Sequence, residues 1–248
     1  MVSLVCIQTL SSLVYLRGDR KYFARGGRIR FNMSLKRSVL LFILLIVSVV
    51  STFSSPDLEQ QGVLAPETSN EARLNRLQPP DEVMDAAGIV PGMVIAEIGA
   101  GKGRYVMQLA VRVGESGKVY AEDINAASLK HLEKRCERWG LNNVEIILGE
   151  ATDPKLPEDE LDMIFIVSSY HHFDDPVTLM RNARSSLKPD GKLAIVEWLP
   201  WDDTDSEGTS PEKMETQMSE AGYKLERMDT LLKDKNLNIY LFSIDETQ

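Results

Sequence analysis

The sequence predicts an α/β fold in which helices cover both faces of a doubly wound, mostly parallel sheet. Two observations lead to this prediction: apolar runs alternate with helical patterns from Pro79 onward, and the runs lack polar alternation. The run Met163–Val167, for example, has no polar face, which is typical of a strand buried on both sides of a parallel sheet. Strands of this kind that alternate with helices indicate a doubly wound sheet.

Six apolar or β-branched runs are expected to be strands, and four helical patterns lie among them. The strands are Met93–Ile98, Lys118–Ala121, Val144–Leu148, Met163–Val167, Leu193–Val196 and Ile239–Ile244. The first helix has the stripe Val106, Leu109, Ala110 and Val113, and the second has Leu129, Leu132, Cys136 and Trp139. The third opens at Asp175-Pro176 and is closed by a turn over Lys188–Gly191, and the fourth runs from Ser210-Pro211 to Gly222.

Charge is distributed unevenly along the 248 residues. Residues 1–55 carry eight Lys and Arg and one acid, whereas the remaining residues carry 20 basic and 36 acidic side chains. An acidic body lacks the basic surface of a duplex-binding protein, so nucleic acid is not expected as a partner. The two cysteines, Cys6 and Cys136, exclude a disulfide framework and a cysteine-rich zinc site.

The N-terminal residues predict a hydrophobic leader before a single domain. An uncharged apolar segment, residues 38–53, follows Lys36-Arg37, which is the layout of a secretory signal. Counted from Met33 the segment has signal proportions, so translation from Met1 and from Met33 both stay open. The segment is also close to the length that spans a bilayer, so a cleaved signal and a retained anchor remain alternatives. Residues 56–78, with few apolar side chains, are expected to be a tether.

The strongest chemical signal is the turn from the first strand into the first helix, Glu97-Ile98-Gly99-Ala100-Gly101-Lys102-Gly103. Alternate glycines let the backbone bend sharply and let a ligand lie against main-chain atoms. A dinucleotide site would have its third glycine one residue later. An acid two residues before the first glycine also suits a cationic group and repels a pyrophosphate.

The spacing E-x-G-x-G-x-G resembles motif I of the class I S-adenosylmethionine-dependent methyltransferases. Later segments resemble this family in order and spacing: the strand ending at Asp123, the loop Gly149-Glu150-Ala151, the strand Leu161–Phe165, and Ala221-Gly222-Tyr223. The resemblance covers residues 79–248 and implies a seven-stranded Rossmann-like domain that binds S-adenosylmethionine. It implies cofactor contacts from Glu97, Gly99, Ala100, Gly101, Gly103, Asp123, Glu150 and Ala151, with Asp123 on the ribose hydroxyls.

The segment Tyr170-His171-His172 follows the fourth strand at its carboxyl end, where doubly wound sheets place reacting groups. Methyl transfer needs a base only when the nucleophile is protonated, and either histidine could supply one. On an extended segment the two histidines would point in opposite directions, so one is expected to face the site. No metal site is expected, because the remaining histidine, His131, lies far away in the sequence.

These observations favour a methyltransferase that acts on a small or lipid-like acceptor. The alternatives are a membrane-tethered protein that binds S-adenosylmethionine without catalysis, and a nicotinamide-dependent oxidoreductase. The leader predicts association with a membrane or export, because its eight cations precede the apolar segment. A cytoplasmic domain remains the alternative, since S-adenosylmethionine is a cytosolic metabolite.

Overall fold

The computed structural model describes residues 64–201, 207–231 and 236–247. Its strands are β1 (Val94–Ile98), β2 (Lys118–Asp123), β3 (Val144–Leu148), β4 (Leu161–Val167), β5 (Leu187–Trp198), β6 (Tyr223–Leu231) and β7 (Leu237–Ile244). Its α-helices are α1 (Ser69–Leu77), α2 (Pro80–Ala87), α3 (Arg104–Val113), α4 (Ala126–Trp139), α5 (Pro176–Ala183) and α6 (Pro211–Glu220). Short 3₁₀ helices lie at Tyr170–His172 and Arg184–Ser186. The predicted leader segment lies outside the described residues.

The strands form one seven-stranded sheet in the order β3-β2-β1-β4-β5-β7-β6. The first five pair in parallel, and β7 runs antiparallel to both β5 and β6. The order reverses at β1, which pairs with β2 on one side and with β4 on the other. The predicted doubly wound, mostly parallel sheet is therefore confirmed, and the carboxyl ends of β1 and β4 meet at its switch point.

Apolar side chains fill both faces of the sheet. On β4, Met163, Phe165 and Val167 pack into the core that includes α3 and α4, whereas Ile164 and Ile166 pack into the core beneath α5 and α6. This two-sided burial explains why the strand has no polar alternation.

The predicted turn over Lys188–Gly191 lies inside β5. Helix α5 ends earlier than expected, at Ala183, and β5 begins at Leu187. Leu161 pairs with Leu187 and Met163 with Lys192, so the residues between them interrupt the register of the two strands. Pro189 and Gly191 therefore mark an irregularity inside β5, and they do not mark the start of the strand.

Strand β6 has no counterpart among the six apolar runs. Its sequence, YKLERMDTL, is polar because it is the last strand in the sheet order and pairs only with β7. A strand at an edge keeps polar side chains toward solvent, so hydrophobic periodicity gives a weak signal there.

The expectation of a tether over residues 56–78 is wrong at its C-terminal end. Ser69–Leu77 form helix α1, which Thr68 caps by accepting a hydrogen bond from the Glu71 backbone N–H. Leu64, Glu71 and Gln78 are buried against the domain. The domain boundary expected at Pro79 therefore leaves out residues that belong to the folded body.

Within the described residues, no helix is long and apolar enough to cross a membrane. The same residues contain no group of three or more His, Cys, Asp or Glu side chains placed to hold a metal ion.

Candidate functional site

The glycine-rich turn after β1 is pinned to the end of β2 by main-chain hydrogen bonds. The N–H groups of Gly99 and Ala100 donate to the Glu122 carbonyl oxygen at 3.0 and 2.8 Å. The Gly101 N–H donates to Asp123 Oδ2 at 2.7 Å. Gly99 and Gly101 both have positive φ, so only glycine adopts this path without strain.

The three glycines of the turn serve different purposes. A Cβ at Gly99 would lie 2.7 Å from Ser169 Oγ, so this glycine admits the segment that follows β4. A Cβ at Gly103 would lie 2.2 Å from Leu132 Cδ1, so this glycine lets α3 and α4 pack together. A Cβ at Gly101 would meet no protein atom within 4 Å. Gly101 is therefore the glycine that opens onto ligand space.

A cavity of roughly 520 Å³ lies over this turn. Its lining falls into two parts, which we call walls: one comes from the strands β1 and β4, the turn and the start of α3, and the other comes from the segment that contains α1. The first wall consists of Glu97, Gly99, Ala100, Gly101, Lys102, Arg104, Tyr105 and Val167. The second consists of Glu67, Thr68, Asn70, Glu71 and Leu74, with His131 and Arg135 of α4 beside it. We call this space the cleft.

Glu97 is the buried acid on the β1 side of the cleft. Its side chain lies at the end of β1, the residue is 4% exposed, and Oε2 has no hydrogen-bond partner among the described residues. Burial raises the pKa of Glu97 to about 8, although the positive charge of Arg104 opposes the shift. A cation in the cleft would give Oε2 a partner and would favour the ionised form.

Of the two acids that end β2, Asp123 is the one at the turn. Its Oδ1 accepts from the Asn125 N–H at 2.7 Å, and Asn125, not Asp123, caps helix α4. Glu122 is buried, and a Cβ at Gly149 would clash with its carboxylate. Burial raises the pKa of Glu122 to about 8.

An exposed apolar surface lies beside Asp123. Ile124 is 64% exposed, and Leu148, which pairs with Asp123 in the sheet, is also exposed. Apolar groups next to a hydrogen-bonding carboxylate suit a ligand that joins a flat ring to a polyol.

The loop after β3 does not bring Glu150 or Ala151 to the cleft. Both residues are exposed, and Glu150 Oε1 forms an ion pair with Lys155 Nζ at 2.5 Å. The Glu150 backbone also bridges to Asp153. Their contact with the cofactor stays a prediction.

The segment after β4 crosses the glycine turn. Ser168 has a φ of +51°, a rare value for a residue with a side chain, and Ser169 Oγ donates to the Ile98 carbonyl oxygen at 3.2 Å. The next residues, Tyr170–His172, form a 3₁₀ turn and not an extended strand. The expectation of oppositely directed histidines is therefore wrong: the rings of His171 and His172 contact each other with centroids 4.0 Å apart.

The two histidines have different surroundings. His171 Nδ1 lies 2.9 Å from Oε1 of Glu197, a carboxylate on β5 that is fully buried. Glu197 Oε2 accepts from the His171 backbone N–H, and Oε1 also accepts from the Trp198 N–H. His172 is exposed. Glu197 therefore holds the ring of His171 in one orientation.

Tyr170 belongs to the hydrophobic core. Its side chain is buried, its hydroxyl donates to Gln217 Oε1 at 2.9 Å, and its ring packs edge-on against Phe173. Burial raises its pKa above the usual value. Tyr170, His171 and His172 are all absent from the lining of the cleft, so catalytic roles for the three stay predictions.

Comparison with known proteins gives the same family from sequence and from structure. A family model described as a methyltransferase domain matches residues 95–191. The ubiquinone/menaquinone biosynthesis C-methyltransferase UbiE of Shewanella sediminis is 30% identical over 116 residues, which are 46% of each chain. Nocamycin O-methyltransferase of Saccharothrix syringae is 29% identical over 119 residues, 48% of this chain and 42% of that protein. The chain thus spans less than half the length of these curated relatives.

A solved structure matches over more of the chain. The crystal structure of a SAM-dependent methyltransferase from Aquifex aeolicus superposes with a TM-score of 0.64 and 26% identity, and the match covers 73% of this chain and 99% of that one. Residues 95–191 thus match a methyltransferase domain, and the chain shares its fold with a solved SAM-dependent methyltransferase. The predicted family and the predicted cofactor, S-adenosylmethionine, are confirmed.

The cleft of this methyltransferase fits that cofactor. The described residues contain four buried polar side-chain atoms that lack a partner: Asn75 Nδ2, Glu97 Oε2, Arg135 Nε and Asn238 Oδ1. Glu97 and Arg135 line the cleft, and Asn75 lies on α1, which forms its wall. An acceptor on one wall and donors on the other suit a ligand that carries both a cation and an anion.

Several residues that build the methyltransferase site were not predicted from the sequence. They are Glu71 on α1 and Gln78 at its end, Arg104 on α3, Arg135 on α4, and Glu197 beside His171. One signal for α1 was present, since Thr68-x-x-Glu71 has the spacing of a capping box. Arg135 stands four residues after His131 and three before Arg138, so the three form a basic stripe on one face of α4. Nothing in the sequence pairs Glu197 with His171.

Proposed function

We propose that this chain transfers the methyl group of S-adenosylmethionine to a small or lipid-like acceptor. The observation that carries the proposal is the cleft over Gly101, which joins an open backbone turn to the buried, unpartnered oxygen of Glu97. When bound, the cofactor supplies an electrophilic methyl group on a positively charged sulfur. The residues of the chain bind and align it, because alignment is the main requirement of such a displacement.

Each wall of the cleft contributes to this alignment. In this proposal the Glu97 carboxyl group faces the ammonium group of the cofactor, and Asp123, which binds the Gly101 N–H beside the cleft, accepts hydrogen bonds from the ribose hydroxyls. Ile124 and Leu148 supply the apolar surface beside that acid. Val167, at the end of β4, leads from the cleft into the segment that carries His171.

His171 is the candidate base for an acceptor whose nucleophilic atom carries a proton. Glu197 accepts a hydrogen bond at His171 Nδ1 when that nitrogen is protonated, so it favours the tautomer with its lone pair on Nε2. The proposed step moves one proton from the acceptor to this ring nitrogen as the methyl group is transferred. The names of the relatives include both C- and O-methyltransferases, and both types of acceptor can require such a base.

Cofactor binding is tested first. S-adenosylhomocysteine should raise the melting temperature of the full chain in proportion to RT ln(1 + [L]/Kd), whereas NAD should not. A shift with NAD alone would support the oxidoreductase alternative and contradict the proposal. Turnover with a panel of phenolic, quinol and fatty-acid acceptors then separates an enzyme from a protein that only binds the cofactor.

The histidines are tested with two single variants and one conservative variant. His171→Ala should bind S-adenosylhomocysteine normally and lose about 100-fold in turnover, with an acidic limb in the wild-type pH profile that the variant lacks. His172→Ala is the matched control. Glu197→Gln should shift the pH profile while cofactor affinity stays unchanged, because Glu197 positions the ring. If His171→Ala turns over as fast as the wild type, His171 is not a general base, and the enzyme acts only by aligning the acceptor with the methyl group.

We further propose that the apolar segment, residues 38–53, brings the domain to a membrane, where a lipid-like acceptor is available. The eight leader cations that precede this segment support the proposal. In the native host the domain should fractionate with membranes, or be found as a mature form that begins near Ser51–Pro56. Intact chain found only in the cytosol would contradict it.

A further inference from the structure

The wall of the cleft that contains α1 is held without an apolar face. Among the nine residues of this helix, the one that is buried is Glu71, a charged residue. Helices on a protein surface are normally held by a stripe of buried apolar side chains. Ala72, Leu74 and Leu77 are only half-buried, so polar contacts contribute much of what holds α1 over the cleft.

Two glutamates connect this wall to the basic stripe of α4. Glu71 Oε1 lies 2.5 Å from Nη2 of Arg135, whose side chain is only 2% exposed. Glu67 Oε1 lies 2.8 Å from Arg138 Nη1, and its Oε2 lies 2.6 Å from His131 Nε2. We call these five side chains the latch.

Hydrogen bonds of amide side chains fix the segment on both sides of the latch. At one end, Leu64 is buried and its backbone exchanges two hydrogen bonds of 3.2 Å with the Gln108 side chain. At the other end, Gln78 is buried, donates to Ser168 Oγ at 2.5 Å and accepts from Arg104 at 2.6 Å. Residues 65–77 therefore form a strap between two anchors, and the latch closes the strap onto the body.

Two polar atoms of the strap and the latch are buried without a hydrogen-bond partner among the described residues. They are Asn75 Nδ2, on the strap, and Arg135 Nε, in the latch. Glu97 Oε2 lies on the other wall in the same condition. A polar ligand bound between the walls would contact the strap and the glycine turn together.

We propose that the strap opens and closes as the cofactor is exchanged, and that the latch controls this motion. Segments with few buried apolar contacts open at a low cost in free energy, and charged contacts are the main interactions to be broken here. A ligand that touches both walls binds the closed state better and so stabilises it. The inference rests on the proposed function in one respect, namely that the ligand of the cleft is S-adenosylmethionine.

Hydrogen exchange of the full chain, measured by mass spectrometry, tests the motion directly. In Glu71→Gln, the amides of Ser69–Leu77 should exchange about tenfold faster than in the wild type, because the buried Arg135 loses its nearer carboxylate and keeps only Glu67 at 3.9 Å. Amides of β1 and β4 should be unchanged. Glu67→Gln should give a smaller acceleration, since the Glu67 side chain is partly exposed. Glu82→Gln, on the exposed face of α2, is the matched control.

Ligand binding supplies the second measurement. Saturating S-adenosylhomocysteine should slow exchange in the strap of the wild type, and its dissociation from Glu71→Gln should be about tenfold faster than from Glu82→Gln.

The inference is overturned if strap amides exchange as slowly as those of β4 in both the wild type and Glu71→Gln, or if S-adenosylhomocysteine dissociates at the same rate from all variants. If Glu71→Gln does not fold, Glu67→Gln decides the matter by the same two criteria. Failure of the wild type to bind S-adenosylhomocysteine would contradict the proposed function, while the exchange rates would still test the strap.

Discussion

The two walls of the cleft are held by different kinds of interaction. The glycine-rich wall is held mainly by backbone, through hydrogen bonds from Gly99 and Ala100 to the Glu122 carbonyl oxygen, with one further bond from Gly101 to the Asp123 carboxylate. The strap is held through charged side chains on Glu67 and Glu71. Main-chain hydrogen bonds change little with pH or salt, and salt screens the buried Glu71–Arg135 pair only weakly, whereas the partly exposed pairs of Glu67 respond to both. We therefore expect a fixed wall and an adjustable wall around one ligand.

Blocking the fixed wall should have the largest effect on binding. In Gly101→Ala the new methyl group meets no protein atom, so it occupies ligand space, and we expect the affinity for S-adenosylhomocysteine to fall about 100-fold. The positive φ of +55° adds backbone strain of roughly 1 kcal/mol. Titration calorimetry measures the loss of affinity, and thermal unfolding measures the strain.

Gly140→Ala is the matched control for this strain. Gly140 also has positive φ, +66°, and open space at its Cβ, but it lies at the C-terminal end of α4, far along that helix from the turn. It should lose stability without losing affinity. An equal loss of affinity in both variants would show that strain, and not ligand space, accounts for the effect at Gly101.

The difference between the walls also explains what the sequence could predict. A backbone that needs positive φ leaves glycines at fixed spacing, and strands buried on both faces leave unbroken apolar runs, so the sheet and the turn were predictable. The latch joins Glu67 and Glu71 to α4, more than 60 residues away, and such pairing leaves no local pattern. The same holds for His171 and Glu197, which come from different strand ends. Edge strand β6 was not apparent as an apolar run because it is polar.

Glu97 should make binding depend on pH, with a smaller effect than that of Gly101. Its pKa is raised to about 8 by burial, so without ligand the carboxyl group is largely protonated at pH 7. The ammonium group of bound S-adenosylhomocysteine favours the carboxylate, and binding must then release a proton. The affinity for S-adenosylhomocysteine should therefore rise about tenfold between pH 6 and pH 8.

Glu97→Gln removes the titrating group and should flatten this dependence. Calorimetry in buffers of different ionisation enthalpy measures the released proton directly, and the variant should release less than the wild type. An unchanged slope in Glu97→Gln would mean that another group titrates on binding and that Glu97 does not face the cation.

The smallest effect is expected in the adjustable wall, from Glu67→Gln. Its ion pairs with Arg138 and His131 lower the pKa of Glu67 from 4.5 to about 2, the largest contribution being the hydrogen bond from Arg138. A lowered pKa means that the folded state prefers the carboxylate, so this stabilisation is present above pH 4.5 and is lost as the pH falls toward 2. Because the Glu67 side chain is 23% exposed and solvent screens the pair, we expect the free energy of unfolding to fall by only about 1 kcal/mol at pH 7.

Urea unfolding should show this difference between the variant and the wild type at pH 7. The difference should be smaller at pH 3, and it should also be smaller at pH 7 in 0.5 M salt, because salt screens the charges. Glu82→Gln should show none of these changes. A difference that persists at low pH and in high salt would mean that Glu67 holds the strap by packing and not by charge, and the contrast between the two walls would then fail.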